Sequence, residues 1–120
     1  MASIPNEIVI DAHDPAAQAA WWSEVLGWPI THPWGEDSFR LEAPGGAGPR
    51  ILFEPVPDAK AVKNRLHLDV EPRDATIGQE LERLLALGAR HADIGQGDVQ
   101  WFVLADPEGN EFCLIPAQAS

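Results

Sequence analysis

One cysteine in 120 residues leaves no internal disulfide to build and fits a reducing compartment. Basic residues are scarce: eight Lys and Arg stand against nineteen Asp and Glu, for a formal charge of −11. Nucleic acid and anionic membrane surfaces are held by cations, so this balance argues against both as partners. The acidity favours solubility and would welcome a cationic ligand. No apolar run reaches the length of a bilayer span, and the first residues lack the basic-then-apolar order of a secretory signal. The expectation is a soluble, cytoplasmic, single-domain protein, long enough to bury a core without a metal or disulfide. A Gly-rich phosphate loop, a Ser-His-Asp arrangement and a Cys pair are all missing. Tyrosine is absent too, whereas tryptophan occurs five times.

Among what is present, Asp106-Pro107-Glu108-Gly109-Asn110 is the clearest local signal. It is a polar turn between two short apolar runs, Trp101–Ala105 and Phe112–Ile115, and so reads as a β-hairpin. A fainter copy lies upstream, where Phe39–Gly46 precedes Ile51-Leu52-Phe53. The rest of the chain repeats in the same way. Residues 6–11 read as a strand. Asp14-Pro15 caps a helix with Ala19, Trp22, Val25 and Leu26 on one face, and Gly27 stops it. Strands are expected around Trp28–His32, Ser38–Glu42 and Arg50–Pro55, then a linker over Pro55–Lys63. The second half begins with a strand over Leu66–Val70. Asp74 is placed to cap a helix whose apolar face is Ile77, Leu81, Leu84 and Leu85, and Gly88 ends it. Strands follow around Ala89–Ile94, Val99–Ala105 and Glu111–Pro116. The order β-α-β-β-β thus occurs twice, in modules over about 5–56 and 64–117, with Asp11 matching Asp69. The fold class is α+β: two such modules forming a curved mixed sheet around a concave cleft, helices outside, with the cleft as the place for a small ligand.

Several residues are candidates for that site. His67 and Asp69 stand two apart on a strand and share a face with Arg65. One reading makes His67 a base or hydrogen-bond partner, oriented by Asp69. The other makes Arg65–Asp69 a structural ion pair. For Trp34 and Trp101 ligand contact and plain packing stand level, because indoles stack on flat or cationic molecules. Phe39 and Phe53 are placed to line the same groove or to fill the core. Cys113, inside an apolar strand, reads as a buried inert thiol.

The chain resembles the vicinal oxygen chelate superfamily, which includes glyoxalase I, extradiol dioxygenases, fosfomycin-resistance transferases and bleomycin-binding proteins. The residues that carry the resemblance are Asp14-Pro15, Trp21-Trp22 through Leu26-Gly27-Trp28, Lys63 through Val70, Leu87-Gly88-Ala89 and Asp106 through Phe112. The run Asn64-Arg65-Leu66-His67-Leu68-Asp69 is similar to a glyoxalase-like subgroup. The resemblance implies a homodimer, and in metal-dependent members one His, Glu or Gln ligand from each of four strands. Carried over, those positions are Glu7, Glu54, a position near Arg65 with His67 two residues on, and Cys113. Arg65 repels a cation and Cys113 is a soft donor beside hard carboxylates, so no cofactor is the favoured expectation. A divalent metal on Glu7, Glu54 and His67 is the alternative. The function expected is sequestration of an aromatic or cationic natural product, with Trp34, Phe39, Phe53, Glu54, Arg65, His67, Trp101 and Cys113 as ligand-binding residues. The alternatives are a metal-dependent lyase, isomerase or dioxygenase, and a metal-free enzyme using His67 and Asp69.

Overall fold

A computed structural model describes residues 1–92 and 101–118. The chain divides into two compact units, Met1–Ala59 and Lys60–Ser120. Each carries a four-stranded mixed sheet and one helix among the described residues. The doubled β-α-β-β-β order is present, and the fold is α+β.

In the first unit the strands are β1 (Glu7–Ala12), β2 (Ile30–Thr31), β3 (Phe39–Leu41) and β4 (Arg50–Pro55), with helix α1 (Pro15–Leu26) between β1 and β2. The sheet order is β1-β4-β3-β2. β1 and β4 run parallel, which the helical crossover permits, and the other pairs are antiparallel. The register sorts the side chains. Ala12, Phe39, Leu41, Ile51 and Phe53 share one face, and all but Phe39 are fully buried. α1 packs on β3 and β4, and its Ala19, Trp22 and Val25 are buried too. The opposite face carries Glu7, Val9, Asp11, Arg40, Arg50, Leu52 and Glu54. α1 begins where the Asp14 carboxylate accepts from the Ala17 amide, with Pro15 in the first turn. It ends at Gly27, whose φ of 70° is cheap for glycine and whose amide donates to the Ser23 carbonyl.

The second unit has β5 (Asp69–Val70), α2 (Ile77–Ala86), β6 (Arg90–His91), β7 (Phe102–Ala105) and β8 (Glu111–Leu114), in the sheet order β5-β8-β7-β6. Its register puts Phe102, Leu104, Phe112 and Leu114 on one face, and Asp69, Val103, Ala105, Glu111 and Cys113 on the other. Leu84 of α2 is fully buried, Ile77 and Leu81 half-buried, and Leu85 exposed.

Two expectations are corrected. Asp74 does not cap α2; it sits in the preceding turn with a φ of 56°. Thr76 is the cap: its hydroxyl accepts from the Gln79 amide while the Gln79 side chain accepts from the Thr76 amide. The strand expected over Leu66–Val70 is shorter, with ladder geometry over Asp69–Val70 and one further bond from the Cys113 amide to the Leu68 carbonyl. Leu66 is exposed, so its place in an apolar-polar alternation reflects no buried face. The expected strand ends at Asp93-Ile94 and Val99-Gln100 lie outside the described residues.

Candidate functional site

On the polar face of the first unit, Arg40 is held on two sides. Its Nε lies 2.6 Å from Glu7 Oε2, and its guanidinium lies 4.9 Å from the centre of the Trp34 ring. Arg50 approaches the same Glu7 oxygen at 3.9 Å. Both Glu7 and Arg40 side chains are largely buried, where an ion pair is screened less than at the surface. Trp34 itself is 67% exposed, so the guanidinium covers one ring face and solvent meets the rest. Glu54 is exposed and pairs in register with Asp11, whereas Glu7 pairs with Arg50. Glu7 and Glu54 therefore attach to the sheet four residues apart, about 13 Å along the strand direction. Phe39 is half-buried, with its ring edge-on to His32 at 5.3 Å, and Phe53 is fully buried.

In the second unit the parallel pairing of β5 with β8 sets Asp69 opposite Cys113. His67 Nε2 lies 3.1 Å from Asp69 Oδ1. The side-chain donor atoms of His67, Asp69 and Cys113 all fall within 4.8 Å of one another. His67 and Asp69 are exposed and Cys113 is buried. Burial pushes the Cys113 thiol above its ordinary pKa, the Asp69 charge pushes it further, and Lys63 opposes both. The ion pair expected between Arg65 and Asp69 gives way to His67–Asp69: Arg65 lies in an exposed bend ahead of β5. Trp101 is 41% exposed.

Sequence reasoning missed Glu111. Its Oε1 lies 3.0 Å from Lys60 Nζ, and its Oε2 accepts from the Asn64 amide at 3.2 Å. Burial would raise this carboxyl, but the bonds from Lys60 and Asn64 outweigh it, and its pKa lies below the ordinary 4.5. The partners are 51 and 47 residues away, so no local pattern announces them. A carboxyl depressed in the folded state stabilises above its unfolded pKa, and that contribution disappears as pH falls through the folded value. Urea midpoints measured from neutral pH to below 4.5 should therefore fall less steeply in Glu111→Gln than in the parent. Parallel curves would remove Glu111 from the account.

With this geometry in place, one match decides the family. The profile of the glyoxalase-like domain covers residues 7–115. The chain belongs to the glyoxalase-like domain family. Its fold recurs in solved structures of the wider vicinal oxygen chelate superfamily. The fosfomycin resistance protein FosX from Listeria monocytogenes is 17% identical with a TM-score of 0.73, covering 98% of this chain and 94% of that one. A glyoxalase/bleomycin resistance protein/dioxygenase family enzyme from Burkholderia phytofirmans PsJN is 20% identical with a TM-score of 0.67, covering 94% and 98%. The oxidase ChaP-H2 is 15% identical with a TM-score of 0.66, covering 100% and 98%. One FosX structure holds Mn(II) and 1S,2S-dihydroxypropylphosphonic acid. At these identities the likeness is one of fold, a scaffold that hosts many functions. No curated protein matches the chain in sequence. Among the described residues no helix is long and apolar enough to cross a membrane.

Proposed function

We propose that this glyoxalase-like protein binds and sequesters a small aromatic or cationic molecule, with the polar face of the first unit supplying the contacts. The observation that carries the reading is Trp34: a largely exposed indole fixed in place by Arg40, at the margin of a face bearing Asp11 and Glu54. A pre-positioned aromatic plane loses little entropy on stacking with a ligand, and the face of an indole attracts a cation. The net charge of −11 acts in the same direction. The residues at the superfamily's metal-ligand positions also support binding without metal chemistry. Glu7 is ion-paired with Arg40, Arg65 is itself a cation, and burial and the Asp69 charge disfavour the thiolate form of Cys113, so this set does not fit a divalent ion.

The His67–Asp69 pair supports a second reading, a metal-free enzyme in which Asp69 orients His67 as a base. One experiment separates the two. The protein is titrated with a panel of planar and cationic compounds while tryptophan fluorescence is followed, and bound compounds are recovered and analysed. Sequestration predicts saturable quenching, affinity lowered about tenfold or more by Trp34→Ala, and ligand recovered unchanged. Conversion of the ligand that vanishes in His67→Gln would favour the enzyme. No saturable quenching by any compound would sink the binding reading.

A further inference from the structure

We propose that residues 60–67 form a releasable strap, latched to the β7–β8 hairpin by the Glu111 carboxylate. Between the end of β4 at Pro55 and the start of β5 at Asp69 the chain forms neither helix nor strand. Connections this long without regular structure are uncommon in compact folds. Residues 60–67 are exposed except at Lys60 and Asn64. Those two are the residues that Glu111 holds: Oε1 lies 3.0 Å from Lys60 Nζ, and Oε2 accepts from the Asn64 amide at 3.2 Å. Lys63 Nζ donates to the Asn64 carbonyl, a bond inside the strap itself. Among the described residues, the hydrogen bonds that join residues 60–66 to the rest of the unit both end on this one carboxylate.

The anchor sits on the rigid side of the latch. Glu111 opens β8, its backbone pairs in the ladder with Ala105, and the turn before it is pinned by the Asp106 carboxylate. The Lys60 and Glu111 side chains keep 20% and 11% of their surface, so their attraction is screened less than that of a surface pair. A Cβ built on Gly109 would stand 4.0 Å from Lys60 Cδ, so the lysine stem lies along the turn. At its other end the strap runs into Leu68, whose carbonyl accepts from the Cys113 amide. Fixed at Leu68 and held at Lys60 and Asn64 by one side chain, the strap opens by losing that side chain's bonds, while the ladder of the hairpin stays closed.

The strap carries an unusual load for so acidic a chain. Lys60, Lys63 and Arg65 lie on it, with no Asp or Glu among residues 60–67. Val62 and Leu66 alternate with them and are 77% and 85% exposed. With the latch closed, Lys63 stands close enough to Cys113 to act on its thiol electrostatically. Opening withdraws that charge from the sheet face that carries Asp69, Glu111 and Cys113.

The test uses the full-length protein and a lysine-specific protease. The chain's two lysines are Lys60 and Lys63, both in the strap, so cleavage reports on this segment alone. When reclosing outpaces cleavage, the rate follows the population of the open strap. Glu111→Ala removes both bonds and should be cut at least about tenfold faster than the parent. Glu111→Gln still accepts from the Asn64 amide and should fall between the two. Lys60→Met breaks the latch from the opposite side and should speed cleavage after Lys63, so it carries the test even if Glu111→Ala fails to fold. In each variant the rate should change little with low concentrations of urea, because a local opening exposes little surface. Cleavage of Lys60→Met and of the folded Glu111 variants at the parent rate would overturn the proposal, as would rates that climb with urea as steeply as global unfolding does.

Discussion

Phe53→Ala is expected to lower the unfolding free energy by about 3–5 kcal/mol, enough to unfold much of the protein if its total stability is near the lower end of the usual range. Phe53 is the last residue of the buried triplet Ile51-Leu52-Phe53 in β4, and it retains 1% of its surface. Its register partners are Ile10 on the parallel side and Phe39 on the antiparallel side. Removing the ring takes away the transfer free energy of a whole aromatic side chain. It also leaves a cavity that two hydrogen-bonded neighbouring strands cannot close. Phe53→Leu should recover most of the loss. Denaturant unfolding of the three proteins measures the effect. A Phe53→Ala midpoint close to the parent's would mean that this face of the sheet is not the interior described above. The result also bears on ligand binding, because a side chain this buried reaches a ligand only by moving, whereas Trp34 is already in solvent.

The features legible in the sequence are those that neighbours along the chain decide. Asp14, Pro15 and Gly27 bound α1 through cap, first-turn and left-handed positions that lie within a few residues of one another. The doubled element order was legible because it repeats. α2 shows how a local signal misleads when two cap residues compete. Asp74 and Thr76 both precede the helix, and the decisive mark is Gln79 three residues after Thr76, which completes a capping box. The site was less legible for a different reason. His67 and Asp69 could be paired from their two-residue spacing, but adding Cys113 requires the β5–β8 register, a contact across more than forty residues. Glu7 with Arg40 and Glu111 with Lys60 are also joined across the sequence, by ion pairs rather than by any periodicity. Exposure was the other hidden quantity: the alternation through Leu66–Val70 is real, yet Leu66 is exposed and the ladder begins at Asp69.

Asp106→Ala is expected to cost about 2–4 kcal/mol, an unusually large loss for a residue in a turn. The carboxylate is 1% exposed and works as the hub of the β7–β8 hairpin. Oδ1 accepts from the backbone amides of Glu108 at 3.0 Å and Asn110 at 2.9 Å, and Oδ2 accepts from Asn110 Nδ2 at 3.2 Å. Alanine removes the acceptor and leaves two part-buried amides without it, so the desolvation cost of those groups adds to the lost bonds. Asp106→Asn keeps an oxygen at the Oδ1 position and should cost roughly half as much, since its amide can meet Asn110 by a flip of the latter. Thermal and denaturant unfolding of both variants distinguish this account from a generic surface turn, for which alanine and asparagine would each change stability by less than about 0.5 kcal/mol. The consequence extends beyond stability. Gly109, with a φ of 87°, and the Asp106 hub together fix where β8 begins. A slip of one residue in β8 would turn Cys113 to the opposite face of its sheet, away from Asp69 and His67. The most conspicuous turn in the sequence is thus the element that sets Cys113 opposite Asp69, although neither residue belongs to the turn itself.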